Sequence, residues 1–397
     1  MKKLIELYIL PDDMRYNIYN ATMALPESQL LFVGPLACAR HGMMTSLFWQ
    51  QRGRISFLCP DHNSIATGYY LQDIKLAASK IVEQRHPRCL VLLTCCQNAI
   101  IGTDFRGLIL SMEKTLGIPC RSLEVNRLNM HGKRNAPLLS VKYDQLIYDF
   151  LQRREPDHEP SVNIIGTICQ VSAEGELLKL LQRAGIKVRC IAECESYDMF
   201  LEMASSSLTI VLRQDSQDAA EDMKKKLGIP WLPLYKSYSV GGLKSQYDAI
   251  ASFFNIEFDI KYLEEKLLKQ LAEIKCLLNR CRVGIDGSRM RCPMALARML
   301  VENNINIDYV IKTRFTGIET EQESWLLEHV PGIRIEVVKD IPLTKTTKMG
   351  RQFYGDFFNE TILDGSQPLK ATEKTGYQAI FSDLDFLNKL IKEKMKA

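Results

Sequence analysis

Two cysteines, each just past the end of an apolar run, are the residues of this chain best suited to chemistry. Cys38 closes the run Leu30-Leu31-Phe32-Val33-Gly34-Pro35-Leu36-Ala37-Cys38. Cys96 lies in Cys89-Leu90-Val91-Leu92-Leu93-Thr94-Cys95-Cys96-Gln97-Asn98-Ala99-Ile100-Ile101-Gly102-Thr103-Asp104. Each apolar run predicts a buried strand, and each cysteine falls where the strand gives way to a turn. In open α/β sheets, ligands collect at that edge. Two thiols at two such ends suit one soft-metal site between them. The adjacent pair Cys95-Cys96 suits neither a zinc knuckle nor an ordinary disulfide, and no pair of CxxC motifs occurs.

The elements that must position these thiols alternate between strand and helix patterns throughout the chain. That alternation predicts an α/β fold of three Rossmann-like domains with mostly parallel sheets. The first domain is expected over residues 1–155, with strands ending near Gly34, Cys59 and Thr94 and a fourth at Cys120–Val125. Arg153–Pro160 is charged and proline-bearing and reads as a linker. The middle domain is expected over residues 156–280. It holds strands at Val162–Gly166, Lys187–Ile191 and Leu208–Leu212, a helix over Glu174–Ala184 closed by Gly185, and a short extended run at Ile229–Leu234. A long helical pattern over Ile260–Arg280 bridges to the C-terminal domain, residues 281–397. That domain opens on a strand at Arg282–Asp286, followed by a helix over Pro293–Asn303 and a strand at Ile307–Ile311.

The 397 residues carry a net charge of +4, too small to argue for nucleic acid. No apolar run reaches membrane-spanning length, and the first residues lack a signal-peptide core, so a cytoplasmic setting without membrane contact is expected. Twelve cysteines are many for that compartment. Cys89, Cys169, Cys190, Cys276 and Cys281 sit in apolar or amphipathic stretches and are expected to be small buried hydrophobes.

These segments resemble the nitrogenase component 1 superfamily over nearly the whole chain. Gly34-Pro35-Leu36-Ala37-Cys38 resembles its Gly-Pro-x-x-Cys cluster motif. Cys96 to Asp104 resembles its Cys-x5-Gly-[Asp/Glu]-Asp motif, with Thr103 in place of the first acid. Lys226–Trp231 and Gly376–Phe381 resemble segments of the middle and third domains. The resemblance implies an iron–sulfur cluster, of 4Fe-4S type, with Cys38 and Cys96 as metal ligands. Gly34 and Gly102 beside them suit close approach of backbone amides to sulfides.

The departures narrow the expectation. In nitrogenase proper, one cysteine and one histidine hold the active-site cofactor. Here the counterpart of that cysteine falls at or near Leu212, and the last histidine is His329. No nitrogenase-type active-site cofactor is therefore expected. No cysteine precedes Cys38, so an upstream cluster cysteine of longer family members has no counterpart. Three sources of further thiolates stay open: Cys59, Cys95, and a second subunit. Cys95 is expected to point away from Cys96 if strand geometry persists. Family clusters lie at subunit interfaces, so two cysteines from each of two chains would complete the ligand set, in a homodimer or in a heterodimer with a paralogous component 1 subunit.

Other groups carry weaker signals. His41 and His62 follow the two cysteines Cys38 and Cys59 by three residues each. Asp104 reads as a helix cap rather than a catalytic acid. Arg289 and Arg291 follow a strand and suit an anionic ligand, and Lys345–Arg351 reads as a solvated basic loop. No catalytic residue is assigned. The phosphate-binding Gly-x4-Gly-Lys-[Ser/Thr] pattern does not occur, so ATP hydrolysis would fall to a partner. The resemblance implies a nitrogenase reductase-type ATPase as electron donor. The expected function is a nitrogenase-like reductase subunit that passes electrons through its cluster to an unidentified substrate. The alternatives are a metallocluster assembly scaffold and a non-catalytic partner subunit.

Overall fold

The computed structural model describes residues 23–39, 52–125, 139–278, 283–286, 292–312, 319–337 and 372–396. His41, Cys281, Arg289, Arg291 and Lys345–Arg351 lie outside the described residues.

Four strands build the first sheet: β1 (Ser28–Val33), β2 (Ile55–Leu58), β3 (Cys89–Cys95) and β4 (Cys120–Val125). They run parallel in the order β2–β1–β3–β4. β1 and β3 are buried at every position. Covered on both faces, such strands read as unbroken apolar runs rather than alternating ones. Helices α1 (Tyr70–Arg85), α2 (Cys96–Ile101) and α3 (Phe105–Leu116) follow β2 and β3 in the chain. Leu31, Val33, Leu90 and Leu92 share one core with Tyr70, Ile74 and Ala78 of α1 and Leu108, Ile109 and Met112 of α3. In α1 the buried residues Tyr70, Ile74, Ala78 and Ile81 recur at helical spacing and form the stripe that faces this core. After α4 (Leu139–Tyr148), residues 151–160 carry neither helix nor strand, as their charge and prolines predict.

The second sheet comprises β5 (Ser161–Ile165), β6 (Lys187–Cys190), β7 (Leu208–Val211) and β8 (Trp231–Pro233), in the order β6–β5–β7–β8. β5 runs parallel to both its neighbours. Helix α5 (Glu176–Arg183) precedes β6, and α6 (Gln217–Leu227) precedes β8. Gly228 ends α6 in the left-handed region at φ 83°, which a residue without Cβ adopts at no steric cost.

The third sheet is parallel, β9 (Val283–Asp286), β10 (Ile307–Lys312) and β11 (Arg334–Val337) in sequence order. Around it in the chain lie α7 (Val240–Phe253), α8 (Lys261–Leu278), α9 (Pro293–Glu302), α10 (Thr320–His329) and α11 (Gly376–Lys396). Parallel sheets joined through helices give the α/β, Rossmann-like class the sequence predicts. Among the described residues, no helix is long and apolar enough to cross a membrane.

The chain gathers into two compact units. One holds the described residues up to Gln170, with Gly185–Trp231; the other holds Val171–Ala184 and most described residues from Leu232 onward.

One cysteine departs from expectation. Cys276 is exposed, not a buried hydrophobe. Helix α8 buries Leu263, Leu267, Leu271, Ile274 and Leu278. Cys276 stands two residues from both Ile274 and Leu278, and therefore on the opposite side of the helix.

Candidate functional site

The first sheet places its thiols by its strand order. The chain passes from β1 to β2 on one side, then crosses back to β3 on the other. The boundary between β1 and β3 is thus the switch point, where the connections leave a crevice at the carboxyl ends. Val33, the last residue of β1, pairs with Leu58 of β2 and Thr94 of β3. Gly34 therefore lies between the levels of Cys59 and Cys95, and its N–H donates to the Leu58 carbonyl at 3.1 Å.

Cys38 is reached by a tight turn. The Pro35 carbonyl accepts from the N–H of Cys38 at 2.9 Å and of Ala39 at 3.1 Å. Leu36 and Ala37 are exposed, Cys38 is half-buried and Ala39 is buried. Across the boundary, Cys95 ends β3 and Cys96 begins α2. Cys95 is buried and Cys96 half-buried, so the adjacent thiols occupy different environments.

Gly34 is shaped for Cys95. A Cβ built on Gly34 would lie 2.7 Å from Cys95 Sγ, with Phe32 ring atoms next nearest. The small residue thus admits a protein sulfur. Gly102 has a different reason to be glycine: its φ is +74°, and a Cβ there would meet nothing within 4 Å. It turns the chain from α2 toward α3.

Burial pushes the Cys95 thiol up, and the charges of Cys38 and Cys96 push the same way, while the amides of Gln97 and Asn98 pull it down. Cys38 and Cys96 are thus both near enough to Cys95 for their charges to bear on its thiol. Burial alone raises the Cys59 thiol, although the residue is exposed overall. Cys89, Cys120 and Cys190 are pushed up to about 12 by burial, which suits inert core thiols. Among the described residues, no three His, Cys, Asp or Glu side chains converge into a complete metal-binding group.

The loop after Cys96 is pinned by contacts that sequence reading did not find. Buried Asn98 accepts the Cys95 N–H on its side-chain oxygen at 3.3 Å. The Asn98 carbonyl accepts the Thr103 N–H at 3.3 Å. Thr103, which replaces an acid of the family motif, shares a hydrogen bond with the Tyr70 hydroxyl of α1. Asp104 is the cap of α3, accepting from Arg106 N at 3.0 Å and Gly107 N at 3.3 Å. Its carboxylate is engaged by the backbone, as its position predicts.

Three other positions complete the survey. His62 is exposed at the start of a short helix capped by Asp61. Leu212 follows β7, is buried, and donates its N–H to the Ile165 carbonyl at 3.0 Å. Exposed His329 stacks on Trp325 at 4.3 Å between centroids.

Parallel sheets joined through helices, with two thiols at the switch point of the first, are the features to set against known proteins. The chain matches the model of the nitrogenase component 1 type oxidoreductases over residues 30–351 and belongs to that family. It is similar to the nitrogenase iron-molybdenum cofactor biosynthesis protein NifE of Methanococcus maripaludis, 23% identical over 278 residues, which are 67% of this chain and 56% of that protein. It is also similar to NifE of Clostridium pasteurianum, 24% identical over 67% of this chain and 58% of that protein. The nitrogenase iron-iron protein beta chain of Rhodobacter capsulatus is 27% identical over 38% of either chain. The chain thus spans less than two thirds of the length of these relatives. The solved structure of nitrogenase Cp1 at pH 6.5 shares the fold, with a TM-score of 0.69 at 15% identity over 95% of this chain and 91% of that one.

Proposed function

We propose that this chain is a cluster-carrying component 1-type subunit that accepts electrons from an ATP-hydrolysing iron–sulfur reductase and delivers them to a separate substrate. The observation that carries this reading is the placement of Cys38 and Cys96 just beyond adjacent strands β1 and β3, at the switch point of the first sheet.

The donor set fits half of an iron–sulfur site. Thiolates are the usual ligands of such clusters, about four to a cubane. Cys38 and Cys96 supply two, and Cys95, buried beside them, donates its thiol hydrogen to Asn98 at 3.6 Å. A second chain, a copy or a paralogue, completes the set. When bound, a 4Fe-4S cluster supplies one-electron transfer. The protein's own part is to present the two thiolates, to keep the Cys95 sulfur from water, and to fix the turns that carry them.

A second reading has its own support. Three of the curated relatives are cofactor biosynthesis proteins, and each matches 67% of this chain. On that reading the same thiols hold a metallocluster during assembly and release it. One experiment separates the two: anaerobic protein is mixed with a nitrogenase reductase-type ATPase, and cluster absorbance is followed with and without ATP. ATP-dependent reduction supports the electron-accepting subunit. Cluster transfer to an acceptor protein, with no ATP-dependent reduction, supports the scaffold.

A further inference from the structure

We infer that Asn98 is a positioning residue for the Cys96 thiolate, acting through the hydrogen bonds its side-chain oxygen accepts from Cys95. The inference rests on Cys96 being a cluster ligand.

In a capping box the residue before a helix meets amides of the first turn, while the side chain three residues on reaches back to that residue's own N–H. At the start of α2 the second half of that arrangement is present, with Asn98 reaching back to Cys95 across Cys96 and Gln97. The Asn98 side-chain oxygen accepts the Cys95 N–H at 3.3 Å and the Cys95 thiol at 3.6 Å. Cys96 lies between the two bonded residues, so its backbone is held within the span they close.

The span is anchored at its far end. Asn98 accepts the Thr103 N–H, and Thr103 bonds Tyr70 of the core helix α1. Asn98 is 3% exposed, so water does not replace its side-chain contacts. The pattern escapes a sequence scan because cysteine and asparagine stand where the usual box has Ser or Thr and Glu or Gln. Outer contacts of this kind orient ligands, and losing one typically costs roughly 10- to 100-fold in metal affinity.

The test uses the full chain with Asn98→Ala and Asn98→Asp. In the metal-free protein, iodoacetamide labelling of Cys96 is timed by peptide mass mapping. In the iron-loaded protein, iron loss to a chelator and the electron paramagnetic resonance line shape are recorded. Thermal unfolding is measured for every variant. Asn98→Ala is expected to change the Cys96 labelling rate, shift the line shape, and release iron roughly tenfold faster. Asn98→Asp keeps the accepting oxygen, so it stays near wild type. Wild-type labelling and iron retention in Asn98→Ala overturn the inference. So does equal iron loss in Asn98→Asp, or loss that tracks a fall in thermal stability in every variant. A wild-type chain that takes up no iron would instead remove the metal-centre reading, and the labelling comparison would still decide whether Asn98 sets Cys96.

Discussion

Gly34 and Cys95 meet across the β1–β3 pair, the missing side chain of one making room for the sulfur of the other. A Cβ on Gly34 would sit 2.7 Å from Cys95 Sγ. Both residues are buried, so the contact has little room to relax. Gly34→Ala should destabilise the fold by about 1–3 kcal/mol through overpacking. Adding Cys95→Ala should recover part of that loss, because residues in contact are not additive. Urea unfolding of the two single variants and the double variant measures the coupling; strict additivity would show that the contact costs nothing.

Asp104 gives a simpler test. Its carboxylate accepts from two amides at the start of α3. Asp104→Ala should cost about 1 kcal/mol, and Asp104→Asn much less, since asparagine also caps well. Chemical denaturation checks the order of the two variants.

The second unit contains a pH-dependent contact. Glu319 is buried and accepts from Met294 N at 3.1 Å and Ala295 N at 2.8 Å at the start of α9. Burial pushes its carboxyl from the usual 4.5 up to about 7, against the pull of those amides. Between these values the folded chain holds a proton that the unfolded chain has released. The contribution is therefore complete below about pH 4.5 and is lost as pH rises through about 7. The total is about 3 kcal/mol in order of magnitude. Glu319→Gln should remove that slope, which unfolding free energies from pH 5 to 8 compare directly with wild type.

Much of this architecture is legible in the residues, because buried parallel strands are apolar runs with clear stops. Leu30–Val33, Cys89–Leu93 and Cys120–Val125 all fall in strands, and Gly185 and Gly228 follow helices in the left-handed region. Asp104 is readable as a cap because its partners lie within three residues. What is not legible depends on distance or on unusual chemistry. Glu319 caps a helix that begins 26 positions earlier in the sequence, and Thr103 meets Tyr70 across 33 positions. Neither has a local pattern. The Cys95–Asn98 contact is local but written in unusual residue types. Cys276 shows the limit of composition: an amphipathic stretch predicts burial only for the residues on its inner stripe.

Assembly follows from ligand number. Cys38 and Cys96 offer two thiolates where a cubane takes about four. Unless Cys59 or Cys95 makes up the number, the iron-loaded chain should be at least dimeric, and removing the iron should weaken the dimer, because cluster binding and association are linked. Light scattering with and without iron measures this. A monomer with a complete cluster would place every ligand in one chain.

The central claim is that Cys38 and Cys96 hold an iron–sulfur cluster, and iron and acid-labile sulfide analysis tests it most directly. The protein is purified anaerobically as wild type, Cys38→Ala, Cys96→Ala and Cys276→Ala. Wild type and Cys276→Ala should carry matching iron and sulfide with an oxygen-sensitive thiolate-to-iron absorption band, and the other two variants should carry neither. Stoichiometric zinc without iron in wild type, or full iron in Cys38→Ala, would contradict the account.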